Sequence, residues 1–149
     1  MLKLSKLTDY ATVILSYMAK EQHRIYVAPD IAQATGIAQP TVSKILKTLV
    51  KAGVLSSMRG AKGGYLLAKA PGKISVAAVI SALEGPIALT ECSASHQSCE
   101  QAQGCGIQGN WHLINQKIAN ALESVTLADL ILPATAPQEI YIPVSRLYR

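Results

Sequence analysis

Apolar residues recur at helical spacing from the start of the chain. Leu7, Ala11, Ile14, Leu15 and Met18 fall on one face and predict an amphipathic helix from near Ser5 that frays by Gln22. A second helix is expected to open at Pro29 and run through Ile31 and Ala32 to Ala34, where Gly36 breaks it. A third follows from about Gln39, with Val42, Ile45, Leu46, Leu49 and Val50 in one stripe until Gly53. The stretch DIAQATGIAQPTVSKILKTLVKAG is therefore helix, short Gly-containing turn, helix.

The period then changes. VLSSMRGAKGGYLLAK gives two short extended segments around RGAKGG, a hairpin whose glycines permit a tight tip carrying Arg59 and Lys62. Ile74, Val76, Val79, Ile80 and Leu83 predict a fourth helix ending at Gly85-Pro86. Trp111, Ile114, Ile118, Ala121, Leu122 and Val125 predict another from about Gly109 to Ser124. That last seam has little of its own domain to pack on, so pairing with the same helix of a second copy is expected.

The fold class that follows is mainly α with a small β-hairpin wing: a winged helix-turn-helix DNA-binding domain plus a long dimerisation helix. The divisions expected are a DNA-binding domain over 1–86, a cysteine loop over 87–108, the dimerisation helix over 109–130 and an extended, Pro-rich tail over 131–149.

Charge sharpens this picture. Through Lys73 the chain carries eleven Lys and Arg against three acids, and after it three against six. A basic front half suits a polyanionic partner. On the third helix, Gln39, Thr41, Ser43, Lys44, Lys47, Thr48 and Lys51 form a polar face without a carboxylate, whereas a merely solvated face ordinarily includes acids. Gln and Ser on such a face suit base edges, and the lysines suit phosphates. A basic hairpin after a recognition helix suits the minor groove, which attracts Arg where it is narrow. The order G-x-x-x-x-G-K-[ST] is absent, so the glycines do not indicate a nucleotide loop.

Composition adds little beyond this. Half of the residues are hydrophobic, 15% are charged and Phe is absent, so the core is expected to be aliphatic and some apolar surface to be covered by a partner subunit. No apolar run reaches the roughly 20 residues of a membrane span. The first residues lack signal-peptide patterning, and a cytoplasmic location is expected.

All three cysteines lie in ECSASHQSCEQAQGCGIQGNWH, spaced C-x6-C-x5-C among small and polar residues. An odd number of thiols in a cytoplasmic chain does not make a disulfide framework. The spacing fits a structural zinc site poorly, since those sites pair ligands as C-x2–4-C. Thiolates in a pliant loop suit an iron–sulfur cluster. The alternative is a cluster-free sensor, working through a thiol–disulfide switch or by binding a metal ion.

The segments LSKLTDYA, IAQATGIAQPTVSKILKTLVKAGVL and SSMRGAKGGYLLAKAPGKISVAAVISALEGP, with three cysteines before an NWH-type helix, resemble the winged-helix iron–sulfur regulators that include IscR and NsrR. KLTDYATVIL and RGAKGGYLLAKAP are similar to the branch described as regulators of SUF-system iron–sulfur assembly. The resemblance spans about Met1 to Leu130. It implies a dimeric transcription factor, a repressor on a pseudo-palindromic double-stranded DNA operator, with affinity set by a cluster. It places DNA contacts on Gln39, Pro40, Thr41, Ser43 and Lys44, and on Arg59 of the wing, alongside the charge-based candidates Lys47 and Lys62.

It also implies that Cys92, Cys99 and Cys105 hold a 2Fe–2S or 4Fe–4S cluster, which leaves one ligand to find. Relatives of the IscR kind place a His three residues after the last Cys, where this chain has Gln108. Relatives of the NsrR kind use an Asp of the first helix, supplied across the dimer, and Asp9 matches it. Asp9 also suits a helix N-terminus electrostatically. His112 and His96 are the further alternatives. Neither a Ser-His-Asp nor a Cys-His arrangement nor a complete nucleotide loop is present, so an enzyme is not expected.

Overall fold

A computed structural model describes residues 3–94 and 105–133. Helix α1 spans Lys6–Ala19. Ser5 starts it, its hydroxyl accepting the Thr8 N–H at 3.2 Å, and Ala11, Ile14, Leu15 and Met18 are fully buried. Helix α2 (Ala28–Thr35) has Pro29 in its first turn, where a missing N–H costs nothing. It ends at Gly36, whose φ of 71° only glycine adopts readily. Helix α3 (Gln39–Lys51) buries Val42, Ile45, Leu46 and Leu49 against α1 and α2. Each such side chain contributes about 1.5–3 kcal/mol by leaving water, and this stripe keeps the polar face of α3 turned outward.

Strands β1 (Leu55–Met58) and β2 (Gly64–Leu67) form the antiparallel hairpin, with Leu55 opposite Leu67 and Met58 opposite Gly64. Leu55 and Leu67 are buried at its base, so the hairpin grows out of the core. Its outer edge is filled by Tyr26, which pairs with Tyr65. A 3₁₀ turn (Pro71–Lys73) leads to helix α4 (Val76–Glu84), capped by Ser75, which accepts the Ala78 N–H at 3.1 Å. Ile74, expected on this helix, precedes the cap and pairs instead with the chain beyond the long helix: the Leu127 N–H donates to its carbonyl at 2.8 Å.

The cysteine region is not wholly irregular, because Glu91–Ala94 close one helical turn, α5. Helix α6 (Gln108–Ser124) is the long one, and none of its residues is buried. It lies along α4, while Trp111, Leu113 and Ile114 are exposed. The stretch expected as one segment over 109–130 breaks at Val125-Thr126. Helix α7 (Leu127–Ile131) then returns to α1 and the 3₁₀ turn, burying Leu127 in the core. Thr126 and Asp129 form the capping box that begins it. None of the helices among the described residues is long and apolar enough to cross a membrane.

Candidate nucleic-acid interface and thiol site

The expected DNA-contacting residues lie on α3 and at the tip of the hairpin that follows it in the chain. Gln39, Pro40, Lys44 and Lys47 of α3 are exposed, and Thr41 and Ser43 are half-buried beside them. No residue of α3 is acidic, and none of Lys44, Lys47, Arg59 or Lys62 forms an ion pair among the described residues. Their charge is therefore available to an anionic partner. Thr48 is different: its hydroxyl donates to the Lys44 carbonyl at 3.0 Å, so its proton is spent on the helix itself. Arg59 and Lys62 are exposed at the hairpin tip, where Gly60 takes a φ of 110° to turn the chain.

The thiol region is held by α6. The Asn115 side chain donates to the Ile87 carbonyl and accepts the Leu89 N–H, both at 3.0 Å, and so clamps the strand of chain that enters the cysteine loop. Thr90 then starts α5. Its carbonyl accepts the Ser93 and Ala94 N–H groups, and its hydroxyl meets the Cys92 sulfur at 3.1 Å. Cys92 is half-buried and lines an open cavity of ≈ 320 Å³ with Gln108, Gly109 and His112, all from the first turns of α6. Cys105 is also half-buried, and its carbonyl accepts the Gln108 N–H at 3.4 Å.

Cys92 and Cys105 are free thiols. Cys99 and His96 lie outside the described residues. Among the described residues no three His, Cys, Asp or Glu side chains converge as a metal centre. The thiols present suit an iron–sulfur group, which takes thiolates: Cys92 and Cys105 carry free sulfurs, and the His112 imidazole and the Gln108 carboxamide line the cavity of Cys92.

Of the four candidates for a fourth ligand, Gln108 and His112 are brought to Cys92. Asp9 is not. It is exposed in the first turn of α1 and lines another cavity with Lys3, Leu4, Ser5, Lys6 and Glu84. Its backbone is committed to the helix start, since its N–H donates to Ser5 at 3.1 Å and its carbonyl accepts the Thr12 hydroxyl at 2.7 Å.

Four residues that organise these regions escape the sequence reading. Asn115 lies among exposed polar residues of an amphipathic helix and reads as solvated. Glu84 reads as a helix end, yet it accepts from the Ser5 N–H at 2.7 Å and from the Thr8 hydroxyl. Ser75 falls within the helix expected from Ile74, yet it caps α4 and its hydroxyl donates to Glu123 of α6 at 2.7 Å. Tyr26 reads as linker. A short apolar run, Ile25-Tyr26-Val27, was the one available signal for its strand-like pairing.

Residues 4–133 match the family model Rrf2, described as an iron-dependent transcriptional regulator. The transcriptional regulator NsrR of Geobacillus kaustophilus is 33% identical over 132 residues, covering 87% of this chain and 90% of that protein. The regulator IscR of Erwinia tasmaniensis is 30% identical over 131 residues, covering 87% and 79%. Among solved structures, CymR, the global cysteine regulator of B. subtilis, superposes with a TM-score of 0.68 at 31% identity, covering 88% of this chain and 97% of that one.

Proposed function

The chain belongs to the Rrf2 family of DNA-binding transcriptional regulators and is not an enzyme, and on that footing we propose that it is a cytoplasmic, dimeric repressor whose operator affinity is set by an iron–sulfur cluster. The ligands in this reading are Cys92, Cys99 and Cys105, with Asp9 of a second copy as the fourth and His112, His96 or Gln108 as alternatives. The regulated genes would be those of iron–sulfur assembly. A bound cluster would supply a redox-active group that oxidation or nitric oxide disrupts.

The observation that carries the reading is the placement of Cys92. It sits on a turn clamped to α6 by Asn115 and faces the first turns of that same helix. Because α6 buries none of its residues within the described chain, it is free to pair with a second copy. A change in the loop is thereby delivered to the element that would set the spacing of two α3 helices. Half-sites about one DNA turn apart convert such spacing into affinity.

The remaining roles belong to residues of the chain. Gln39, Thr41 and Ser43 read base edges, Pro40 opens the helix that presents them, and Lys44 and Lys47 meet phosphates. Arg59 and Lys62 carry the wing to the flanking groove.

Anaerobic purification with iron and sulfide quantitation tests the proposal, alongside DNA binding before and after air exposure. A coloured protein that loses its iron and changes affinity together is expected. A colourless, iron-free protein with unchanged binding overturns it.

A second reading has its own support. The structural likeness to CymR, a regulator of cysteine, favours a thiol switch without a cluster. Two thiols would then yield a disulfide, passing two electrons and two protons to an oxidant such as a peroxide. The absorption spectrum of the anaerobic protein separates the two.

A further inference from the structure

The hairpin is fastened to the rest of the molecule on a side that does not belong to its own ladder. The Tyr26 N–H donates to the Tyr65 carbonyl at 2.8 Å, and the Tyr65 N–H donates back to the Tyr26 carbonyl at 2.7 Å. Tyr26 is itself immobilised. It is 2% exposed, its ring meets that of Tyr17 edge-on at 5.4 Å, and the Arg24 guanidinium lies 5.0 Å from its centroid. The α1–α2 connection therefore presents a rigid edge, and β2 docks on it.

Close approach is what makes that docking possible. A Cβ on Gly64 would stand 2.5 Å from the Tyr26 carbonyl oxygen, 2.7 Å from the Ile25 Cγ2 and 3.1 Å from the Tyr26 carbonyl carbon. Two of these three atoms are backbone and cannot turn aside. Gly64 takes no positive φ, so its requirement is for space alone. Gly63 answers a separate need within the hairpin, since a Cβ there would stand 2.3 Å from the Met58 carbonyl oxygen.

We infer that Gly64 and Tyr26 are positioning residues for DNA recognition: they set the angle at which the wing presents Arg59 and Lys62, and touch no DNA themselves. The inference rests on the reading of the wing as a DNA contact. The hairpin's other attachment is its base, where Leu55 and Leu67 are buried in the core and β1 packs on α3, at the end away from the tip. The Tyr26–Tyr65 pair supplies a second point, three residues from Lys62 and six from Arg59. Two attachments define a direction where one does not.

The test uses a duplex enriched from a random-sequence pool by the wild-type protein, and the variants Gly64→Ala, Arg59→Ala/Lys62→Ala and the triple combination. Gly64→Ala is expected to weaken binding about tenfold and to lower the dependence of log affinity on log salt by up to about 1.8 per protomer, about 0.9 for each displaced cation. It is expected to do nothing further once Arg59 and Lys62 are already alanine. Tyr65→Pro provides a second route. It removes the N–H given to Tyr26 without touching a donor that faces β1, and should reproduce the same loss.

If Arg59→Ala/Lys62→Ala binds as wild type, the wing reading falls. If that variant is weakened while a folded Gly64→Ala or Tyr65→Pro keeps wild-type affinity and salt slope, the positioning role falls alone. Loss of thermal unfolding cooperativity in both single variants would make the tether a requirement for folding, and would likewise overturn it.

Discussion

The Glu84 carboxylate, at the last residue of α4, accepts the hydroxyl proton of Thr8 in the first turn of α1, 76 positions earlier. It also accepts the Ser5 N–H, so one side chain gathers the start of one helix to the end of another. Thr8 is fully buried and finds its partner here. These hydrogen bonds, the Thr8 hydroxyl foremost and then the Ser5 amide, hold the Glu84 carboxyl below its ordinary pKa of 4.5. A depressed folded-state pKa stabilises the fold above the unfolded value, and that contribution disappears as pH falls through the folded value. Glu84→Gln should therefore lower the melting temperature at pH 7, and the gap from wild type should begin to narrow as pH falls below about 4.5 and go on narrowing through the lower folded value. Thermal unfolding of both proteins across pH 3–7 measures this.

Asn115 satisfies a carbonyl and an amide of the same strap. Asn115→Leu leaves both Ile87 and Leu89 without that partner. A loss of about 1–3 kcal/mol is expected, together with faster alkylation of Cys92 by iodoacetamide, because the turn carrying it loses its clamp. Chemical denaturation and a thiol-labelling time course are the measurements.

Lys44 and Lys47 stand one turn apart on a helix without acids. Lys44→Ala and Lys47→Ala should each reduce the salt slope of DNA binding by about 0.9 per protomer, with sequence preference retained. Titrations of a fixed duplex at several salt concentrations check both numbers.

Leu127 is 2% exposed and carries α7 into the core between α1 and the 3₁₀ turn. Leu127→Ala should cost about 2–5 kcal/mol, more than the same change at exposed Leu113. Urea unfolding of the two variants, side by side, decides it.

Legibility in the sequence followed the physics of each feature. Helices α1 and α3 could be read because their cores repeat at a fixed spacing, and Gly36 and Gly53 could be read as stops because positive φ favours that residue. The wing was legible from RGAKGG, although the strand-like pairing of Tyr26 was not, since a single paired residue has no period. The end of α6 at Ser124 agrees with the helix expected from about Gly109 to Ser124, but the return of the chain beyond it to the start of α4 has no periodic signal. What reveals it is the long-range pairing of Ser75 with Thr126. For the thiol region, the candidates Cys92, Gln108 and His112 share a cavity that spacing alone did not disclose. The Asn115 clamp depends on a contact 26 and 28 positions away.

The return of the chain after α6 has a mechanical consequence. The excursion through the cysteine loop leaves α4 at Glu84 and comes home at Ser75, where Val76 donates to the Val125 carbonyl at 2.8 Å. Its two feet thus stand at opposite ends of a nine-residue helix, about 13 Å apart at 1.5 Å per residue. A hoop mounted in that way cannot shed a load by fraying at a free end. α6 packs on α4, and α4 packs on both α1 and α3, so a movement of α6 would reach the core through α4.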